Sequence, residues 1–318
     1  MKTLLRSLPF LLLASTALGQ GDLTPPAGAP APNMKTLQEI WHKLELIASD
    51  AADAKAASET AAVAAPDPRT PITTLPYVID TPGSYYFTGN LNFTMDTGAA
   101  IEITVGNVTL DLDGFTLSSD LNVTGEAILL SMDFAAGGES WQRTCIKNGT
   151  IVGSSTLAGA SPPWTLTAAG FEHGISITPN AQRVDLLNIT VLGCQSHGIE
   201  MRDYSTAVDC RSSRNGGRGF SARLGCQWTR CVAVENNSSG FDSSNSACFQ
   251  CTAVRNGGTG FFAAEGIVSY CLSSDNGGSG YDFNFNPGVL SFSRAQGNGT
   301  VALDGDPSVI QTGNSLTP

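Results

Sequence analysis

The chain has 318 residues, a net charge of −11 and only 14% charged residues, against 41% hydrophobic residues and 35 glycines. Acidity on this scale disfavours a nucleic-acid partner, and the hydrophobic share is large enough to fill a core, which excludes a disordered chain. After the amino-terminal segment no stretch approaches the 18 apolar residues of a membrane span.

The amino terminus carries a targeting pattern. Lys2 and Arg6 flank the start of an apolar run over 8–13, and the small residues Ala17 and Gly19 precede Gln20. This predicts a signal peptide over 1–19 and an exported protein, secreted, periplasmic or at the cell surface. No cysteine follows the cleavage site, which argues against a lipid anchor there. Residues 20–33 are Pro-rich and read as a linker.

Residues 34–65 predict a helix. Thr36 and Glu39 form a capping box. Leu37, Ile40, Leu44, Ile47, Ala51, Ala54, Ser58 and Ala61 alternate at spacings of three and four, a heptad seam. The seam serves either to lie against the following domain or to join copies into a homo-oligomer. Pro66, Pro68 and Pro71 end the helix, and the domain that follows spans 66–318.

From Leu75 onward the pattern is β. Short strand-like runs recur between turns, with Asp113, Asn148 and Asn188 at equivalent turns. The coil over Tyr77–Asn92 is expected to cap the domain against edge pairing. From Gly198 the pattern becomes a repeat, with units of 21, 21, 20, 20 and 21 residues opening at Gly198, Gly219, Gly240, Gly260 and Gly280. A period near 20 with three strand-like runs per unit predicts a parallel β-helix of nine or ten coils, an all-β solenoid. One residue after each leading glycine stand Ile199, Phe220, Phe241, Phe261 and Tyr281. Strand alternation turns this column into the lumen, together with Met201, Ala222, Ser243, Ala263 and Phe283. Asn215, Asn236, Asn256, Asn276 and then Gln296 form a third column. Asparagine tolerates left-handed backbone and its amide can bond the next along the axis, so this column is expected to close each coil.

Tyr77–Asn92 with its Thr81-Pro82-Gly83 turn, Asn107–Leu117, Cys145–Gly153 and the later Gly-Phe coils rich in Cys and Asn resemble secreted bacterial right-handed parallel β-helix repeat proteins of the pectin-lyase-like fold. The resemblance covers about residues 33–300. It implies the fold and export; it leaves activity open. In enzymes of that fold the first strand of each coil forms the substrate face. Here the matching outward positions bring His173, His197, Glu200, Arg202, Arg218, Arg223 and Asp242 into neighbouring coils.

Glu200 and Asp242 fall two coils apart, ~9.6 Å at the ordinary strand spacing, near the upper end for the paired carboxylates of an inverting glycosidase. His197 beside Glu200 has the chemistry of an acid or base. His173, Arg202, Arg218 and Arg223 have that of a clamp for an anionic sugar. Against both readings stands the ordinary polarity of any solenoid surface. Two insertions, 131–142 and 153–172, carry Trp141 and Trp164, which either wall this face as sugar platforms or pin their own loops. The polygalacturonase-like set (Asn-x-Asp, Asp-Asp, Gly-His-Gly, Arg-x-Lys) is absent, and the acids are too scattered for a pectate-lyase calcium site. No metal or cofactor is expected.

Cys210, Cys231, Cys251 and Cys271 repeat at spacings of 21, 20 and 20. Parallel neighbours hold their Cβ atoms slightly too far apart for a relaxed disulfide, so a buried thiol ladder is expected. Cys226 and Cys248 are the pair freest to bridge. The composite expectation is an exported β-helix that binds or processes an extracellular, acidic polysaccharide. If it is an enzyme, it is a lyase or glycoside hydrolase of pectin-lyase-like fold. The alternative is a non-catalytic structural or adhesive surface protein.

Overall fold

The computed structural model describes residues 67–131, 143–159, 164–179, 181–284, 286–305 and 309–317, together with seven residues between 39 and 50. The chain divides into two compact units, Met1–Pro66 and Asp67–Pro318. In the first, Glu39, His42, Lys43, Glu45, Leu46, Ser49 and Asp50 are helical and exposed. The signal segment, the linker, the heptad positions and Trp141 lie outside the described residues. No helix among the described residues is long and apolar enough to cross a membrane.

The second unit is a parallel β-helix. A ten-stranded parallel sheet forms one side, and a continuous 19-stranded sheet wraps the others. In the regular coils each strand is only two or three residues long, as in Phe241–Asp242, Ala247–Phe249 and Thr252–Val254. Such strands bury little alone; stacking on identical neighbours supplies the core.

The lumen follows the predicted register. Ile199 pairs with Phe220, Phe220 with Phe241, Phe241 with Phe261 and Phe261 with Tyr281. All five are fully buried. Phe220, Phe241 and Phe261 stack at 4.8 Å with their planes 2° apart. Tyr281 ends the stack, 5.3 Å from Phe261, and its hydroxyl donates to the carbonyls of Cys271 and Arg294 at 2.8 Å. Toward the amino terminus Ile175, Ile128, Ile101 and Tyr77 continue the column.

Each regular coil turns three corners, and all three are built alike. An outer residue takes left-handed backbone, and the next residue is small and buried; in the fullest form it donates a hydrogen bond to a carbonyl of the preceding coil, though Gly266 has no side chain to do so and Ser293 donates to Ser291 of its own coil. At the first corner Asn245 (φ 54°) precedes Ser246, whose hydroxyl donates to the Arg223 carbonyl at 2.8 Å. At the second, Arg230 (φ 53°) precedes Cys231, whose thiol donates to the Ala207 carbonyl at 3.4 Å. At the third, Glu235 (φ 56°) precedes Asn236, whose amide donates to the Ser212 carbonyl at 3.1 Å. Left-handed geometry costs a non-glycine residue roughly 1–2 kcal/mol, and these bonds offset it.

The third corner carries the asparagine ladder. Asn215 donates to Asn236 at 2.8 Å, Asn236 to Asn256 at 3.0 Å and Asn256 to Asn276 at 2.9 Å. Each acceptor oxygen also takes the backbone N–H of the asparagine before it. Two details differ from the sequence expectation. The left-handed residue is the one before each asparagine (Arg214, Glu235, Arg255, Asp275), because a side chain aimed into the corner needs ordinary backbone. The ladder also continues from Asn276 to Asn298 at 2.9 Å, with Gln296 paired to Ser274 instead. The last corner therefore lies two residues further on, with Gly297 as its left-handed residue. The leading glycines are required by this ladder: a Cβ on Gly219 would stand 2.7 Å from the Asn236 amide and 2.8 Å from the Gly240 carbonyl.

The Tyr77–Asn92 coil is not the edge of the broad sheet, because Thr70–Ile72 pairs beneath Tyr85–Phe87. All eight cysteines are free, and seven are buried. Cys210, Cys231, Cys251 and Cys271 occupy the second corner and are at most 3% exposed. Cys226 and Cys248 belong to different columns: Cys248 pairs with Trp228 inside the lumen, whereas Cys226 donates from the first corner to the Arg202 carbonyl. Burial pushes the Cys194 thiol up to about 12 and raises the Cys251 thiol, whereas the Cys231 thiol is lowered by its bond to Cys210 but raised on balance by its bond with Cys251 and then by burial.

Two outcomes are expected. Phe241→Asp buries a carboxylate between two rings and should lower the denaturation midpoint by more than about 4 kcal/mol equivalent; an unchanged midpoint would contradict the register. In the native state a thiol reagent should modify only the half-buried Cys145 quickly, and denaturant should release all eight thiols.

Candidate functional site

The ten-stranded sheet presents three outward columns, one before, one within and one after each short strand. The first runs Glu126, His173, His197, Arg218. His173 pairs with Glu126, and the N–H of Gly174 and of Gly198 bond the carbonyls of His197 and Arg218. The second runs Ser176, Glu200, Ser221, Asp242, Phe262, Asp282, Asp304. The third contains Arg202 and Arg223: the 21-residue offset holds from Ile199–Phe220 through Thr206–Gln227, which puts both at one register position. His173, His197, Glu200, Arg202, Arg218, Arg223 and Asp242 therefore share one face over four coils.

The two imidazoles lie 5.3 Å apart, their planes tilted by 42°. The backbone N–H of His197 donates to His173 Nδ1 at 3.3 Å, and that of Arg218 donates to His197 Nδ1 at 3.1 Å. Each Nδ1 is thus an acceptor, so a neutral ring carries its proton on Nε2. Burial, then His173 and Arg218, hold the His197 imidazole below its ordinary range.

The carboxylates are engaged. Glu200 accepts from Arg202 at 3.1 Å and from the Ser176 hydroxyl at 3.3 Å. Arg202 also donates through Nε to the Ile177 carbonyl at 3.0 Å, which pins it across two coils. Asp242 pairs with Arg218 at 2.7 Å and accepts from Ser244 at 3.3 Å. Burial raises the Asp242 carboxyl in spite of Arg218. Glu200 and Asp242 stand two rungs apart, ~9.6 Å by strand spacing, with Ser221 between them.

The arginines crowded between residues 202 and 230 do not form one patch. Arg202, Arg218 and Arg223 belong to this face. Arg230 makes two 2.7 Å bonds to Asp209 at the second corner, and Arg214 pairs with Glu235 at the third. Arg223 alone of the three face arginines is exposed and has no hydrogen bond or ion pair from its guanidinium among the described residues.

The 153–172 insertion is a β-hairpin of Thr156–Ala158 and Thr165–Thr167. Trp164 does not stand with His197 and Arg202. It is 8% exposed and lines a pocket of ≈ 350 Å³ with Arg214, Glu235 and Arg255 at the third corner. Its backbone N–H donates to Asn237 at 3.0 Å, which ties the hairpin to the coil. The other insertion, with Trp141, lies outside the described residues. Asp111 and Asp113 are held by cations: Arg69 lies 3.3 Å and 3.5 Å from them, and Lys147 lies 3.3 Å from Asp111. Among the described residues no group of three potential ligands could hold a metal ion.

Sequence reasoning missed Glu126. It precedes Ala127, not a glycine, and 47 residues separate it from His173, so the repeat offset does not reach it. Burial raises its carboxyl, with Glu172 and Glu200 adding to the rise and His173 opposing it. The signal that finds it is the apolar run Ala127-Ile128-Leu129-Leu130, which lies in register with Gly174–Ile177.

No protein-family model and no curated protein matches the chain. Among solved structures it is similar to the A-module of mannuronan C-5 epimerase AlgE6 from Azotobacter vinelandii, with 15% identity over 73% of this chain and 71% of that one and a TM-score of 0.50. It is also similar to the periplasmic alginate epimerase AlgG (12% identity, 74% and 70% covered, TM-score 0.49) and to the enzymatically active domain of bacteriophage CBA120 tailspike protein 2 (17%, 73% and 38%, 0.43). The chain is a right-handed parallel β-helix protein.

Two groups on this face should shift stability with pH in opposite directions. Glu126 binds its proton more tightly folded than unfolded, so its contribution is full at acid pH and lost as pH rises through the raised value. Glu126→Gln should therefore raise the urea midpoint at pH 7, with a gain that shrinks toward the ordinary glutamate range. His197 binds its proton less tightly folded, so its contribution is present above the ordinary histidine range and lost as pH falls through the lowered value. His197→Gln should remove that part of the acid sensitivity. A Glu126→Gln variant less stable than wild type at pH 7 contradicts the assignment.

Proposed function

We propose that the protein is exported and binds an acidic polysaccharide laid along the face of the short strands. The observation that carries this reading is Arg223, an exposed guanidinium without a partner among the described residues, in register with Arg202 on the next coil. Two cations ~4.8 Å apart at the backbone repel unless an anion lies between or beside them. Glu200 answers Arg202; nothing among the described residues answers Arg223. A sugar carboxylate or sulfate bridging the two supplies the missing charge, and the planar forks favour such an oxyanion over a point charge. The occupied Nδ1 atoms leave the Nε2–H of His197 to donate to a sugar hydroxyl, beside His173 and Arg218. The A-module it resembles is named for an epimerase of mannuronan, a polymer-acting enzyme of this fold. The predicted signal segment supports export.

Processing of the same polymer is the second reading. It is favoured by Asp242, whose carboxyl is raised by burial, as a general acid requires, two rungs from Glu200, a backbone spacing of ~9.6 Å near the upper end for an inverting pair. His197, Glu200 and Asp242 are its acid–base groups, in a lyase or hydrolase.

Wild-type protein should be retained on acidic polysaccharides at low ionic strength, and retention should weaken as salt rises. Replacing Arg202 and Arg223 together by Ala should abolish retention while leaving the unfolding midpoint within about 1 kcal/mol equivalent. New chain ends after incubation would establish processing. Absence of retention on every acidic polymer at low salt would leave the structural or adhesive role.

A further inference from the structure

We propose that Phe262 is a stacking platform for an uncharged pyranose, and that the ligand is a mixed chain whose anionic sugar sits on the arginines while an uncharged sugar lies over Phe262. This rests on the binding face proposed above and deepens it.

The fold does not ask for a ring at this position. Phe262 points outward in the column that carries Glu200, Ser221, Asp242, Asp282 and Asp304, all polar. It is half-buried. Its neighbours on the flanking columns are small: Thr259 and Ala264 on its own coil, Ser239 and Ser244 on the coil below. Among the described residues of the regular coils, Tyr204 is the other exposed ring without a ring contact, and it stands at the first corner, off this column; most of the remaining rings have aromatic partners. Phe220, Phe241, Phe261 and Tyr281 stack in the lumen. Exposed Phe249, Tyr270 and Phe292 cover one another at the second corner, at 5.4 Å and 5.0 Å. Phe262 makes no ring contact among the described residues. A partnerless ring among small polar residues on an outward groove face matches the C–H face of a sugar ring.

Charge along the axis decides which sugar. The basic groups end with Arg218 and Arg223. Two coils further, ~9.6 Å along the axis, stands Phe262; beyond it the column holds Asp282 and then Asp304. Neither aspartate has an ion-pair partner among the described residues. The third column offers only Ala264 and Asn284 there, and the Asn284 N–H is already bonded to Asp282 at 2.7 Å. Burial and the neighbouring Asp304 raise the Asp282 carboxyl, in keeping with a site that lacks a cation. A homopolymer of uronic acid seated on the arginines would carry its next carboxylates against Asp282 and Asp304. A chain whose next two sugars are uncharged avoids that repulsion and places the second of them over Phe262, with hydroxyl or amide donors toward the aspartates.

The full-length mature protein is tested by affinity electrophoresis against polygalacturonate, a homopolyuronate, and against two mixed chains: hyaluronan, in which uronic acid alternates with one uncharged sugar, and gellan, in which three uncharged sugars separate the uronic acids. Wild type should bind at least one mixed chain more tightly than polygalacturonate. Phe262→Ala and Phe262→Leu should each weaken mixed-chain binding about tenfold and leave polygalacturonate binding unchanged; the leucine variant keeps the apolar volume should alanine disturb folding. Asp282→Asn with Asp304→Asn should strengthen polygalacturonate binding. The proposal is overturned if polygalacturonate binds as tightly as both mixed chains, or if both Phe262 variants hold the mixed chain as wild type does. If wild type is retained by none of the three polymers, the binding face itself falls and this inference with it, whereas equal retention by all three sinks only the role of Phe262.

Discussion

A polypeptide that bends three times every 20 or so residues must bury each bend without stranding its backbone polar groups. That constraint governs this molecule. An unpaired buried carbonyl costs about as much as a lost hydrogen bond, and every coil has several at its corners. In its fullest form the solution is one left-handed residue facing outward, followed by one small residue facing inward with a donor. Asn236, Cys231 and Ser246 differ in chemistry, yet each delivers a hydrogen to a carbonyl of the preceding coil. The thiol ladder is thus a corner device related to the asparagine ladder. Asparagine does most, because its amide donates and accepts at once and so bonds both its neighbours along the axis.

Regular corners make a regular face. Because each coil repeats the last in register, a residue's place in the repeat determines its place on the surface, and columns on the short-strand side become straight rows parallel to the axis. Function in such a molecule is a matter of which residues interrupt a row. The interruptions here are a run of cationic and imidazole groups in three coils, then Asp242, then an aromatic ring, then further aspartates. Their sequence along the axis is a sequence of chemical preferences ~4.8 Å apart, suited to reading a polymer that repeats on a similar scale.

The ion pairs show how the same backbone regularity sorts charge. Arg230 bonds Asp209 and Arg214 bonds Glu235, each one coil away, at exposed corners where such pairs contribute little to stability. Arg218 reaches forward one coil to Asp242, and Arg202 folds back on its own coil to Glu200. Arginines adjacent in sequence are therefore dispersed over three sides, and local charge excess in the chain is a poor guide to local potential on a solenoid.

The amino-acid sequence alone determined the period, the lumen column from Ile199 to Tyr281, the outward set His173, His197, Glu200, Arg202, Arg218, Arg223 and Asp242, and the buried cysteine column. These were legible because a repeat near 20 residues makes contacts between residues a fixed distance apart in the chain, so spacing stands in for proximity. Tertiary structure decided what spacing does not encode. It moved the left-handed residue to the position before each asparagine and carried the ladder to Asn298, because the longer last coil shifts the corner. It set Trp164 against Arg214 and Arg255, since a hairpin's direction depends on its own twist and on the bond from Trp164 to Asn237. It brought Glu126 beneath His173 across 47 residues, where an irregular coil breaks the period but not the pairing. And it chose which cations are neutralised, leaving Arg223 without a partner among the described residues, because that choice rests on where flexible side chains end and not on where they begin.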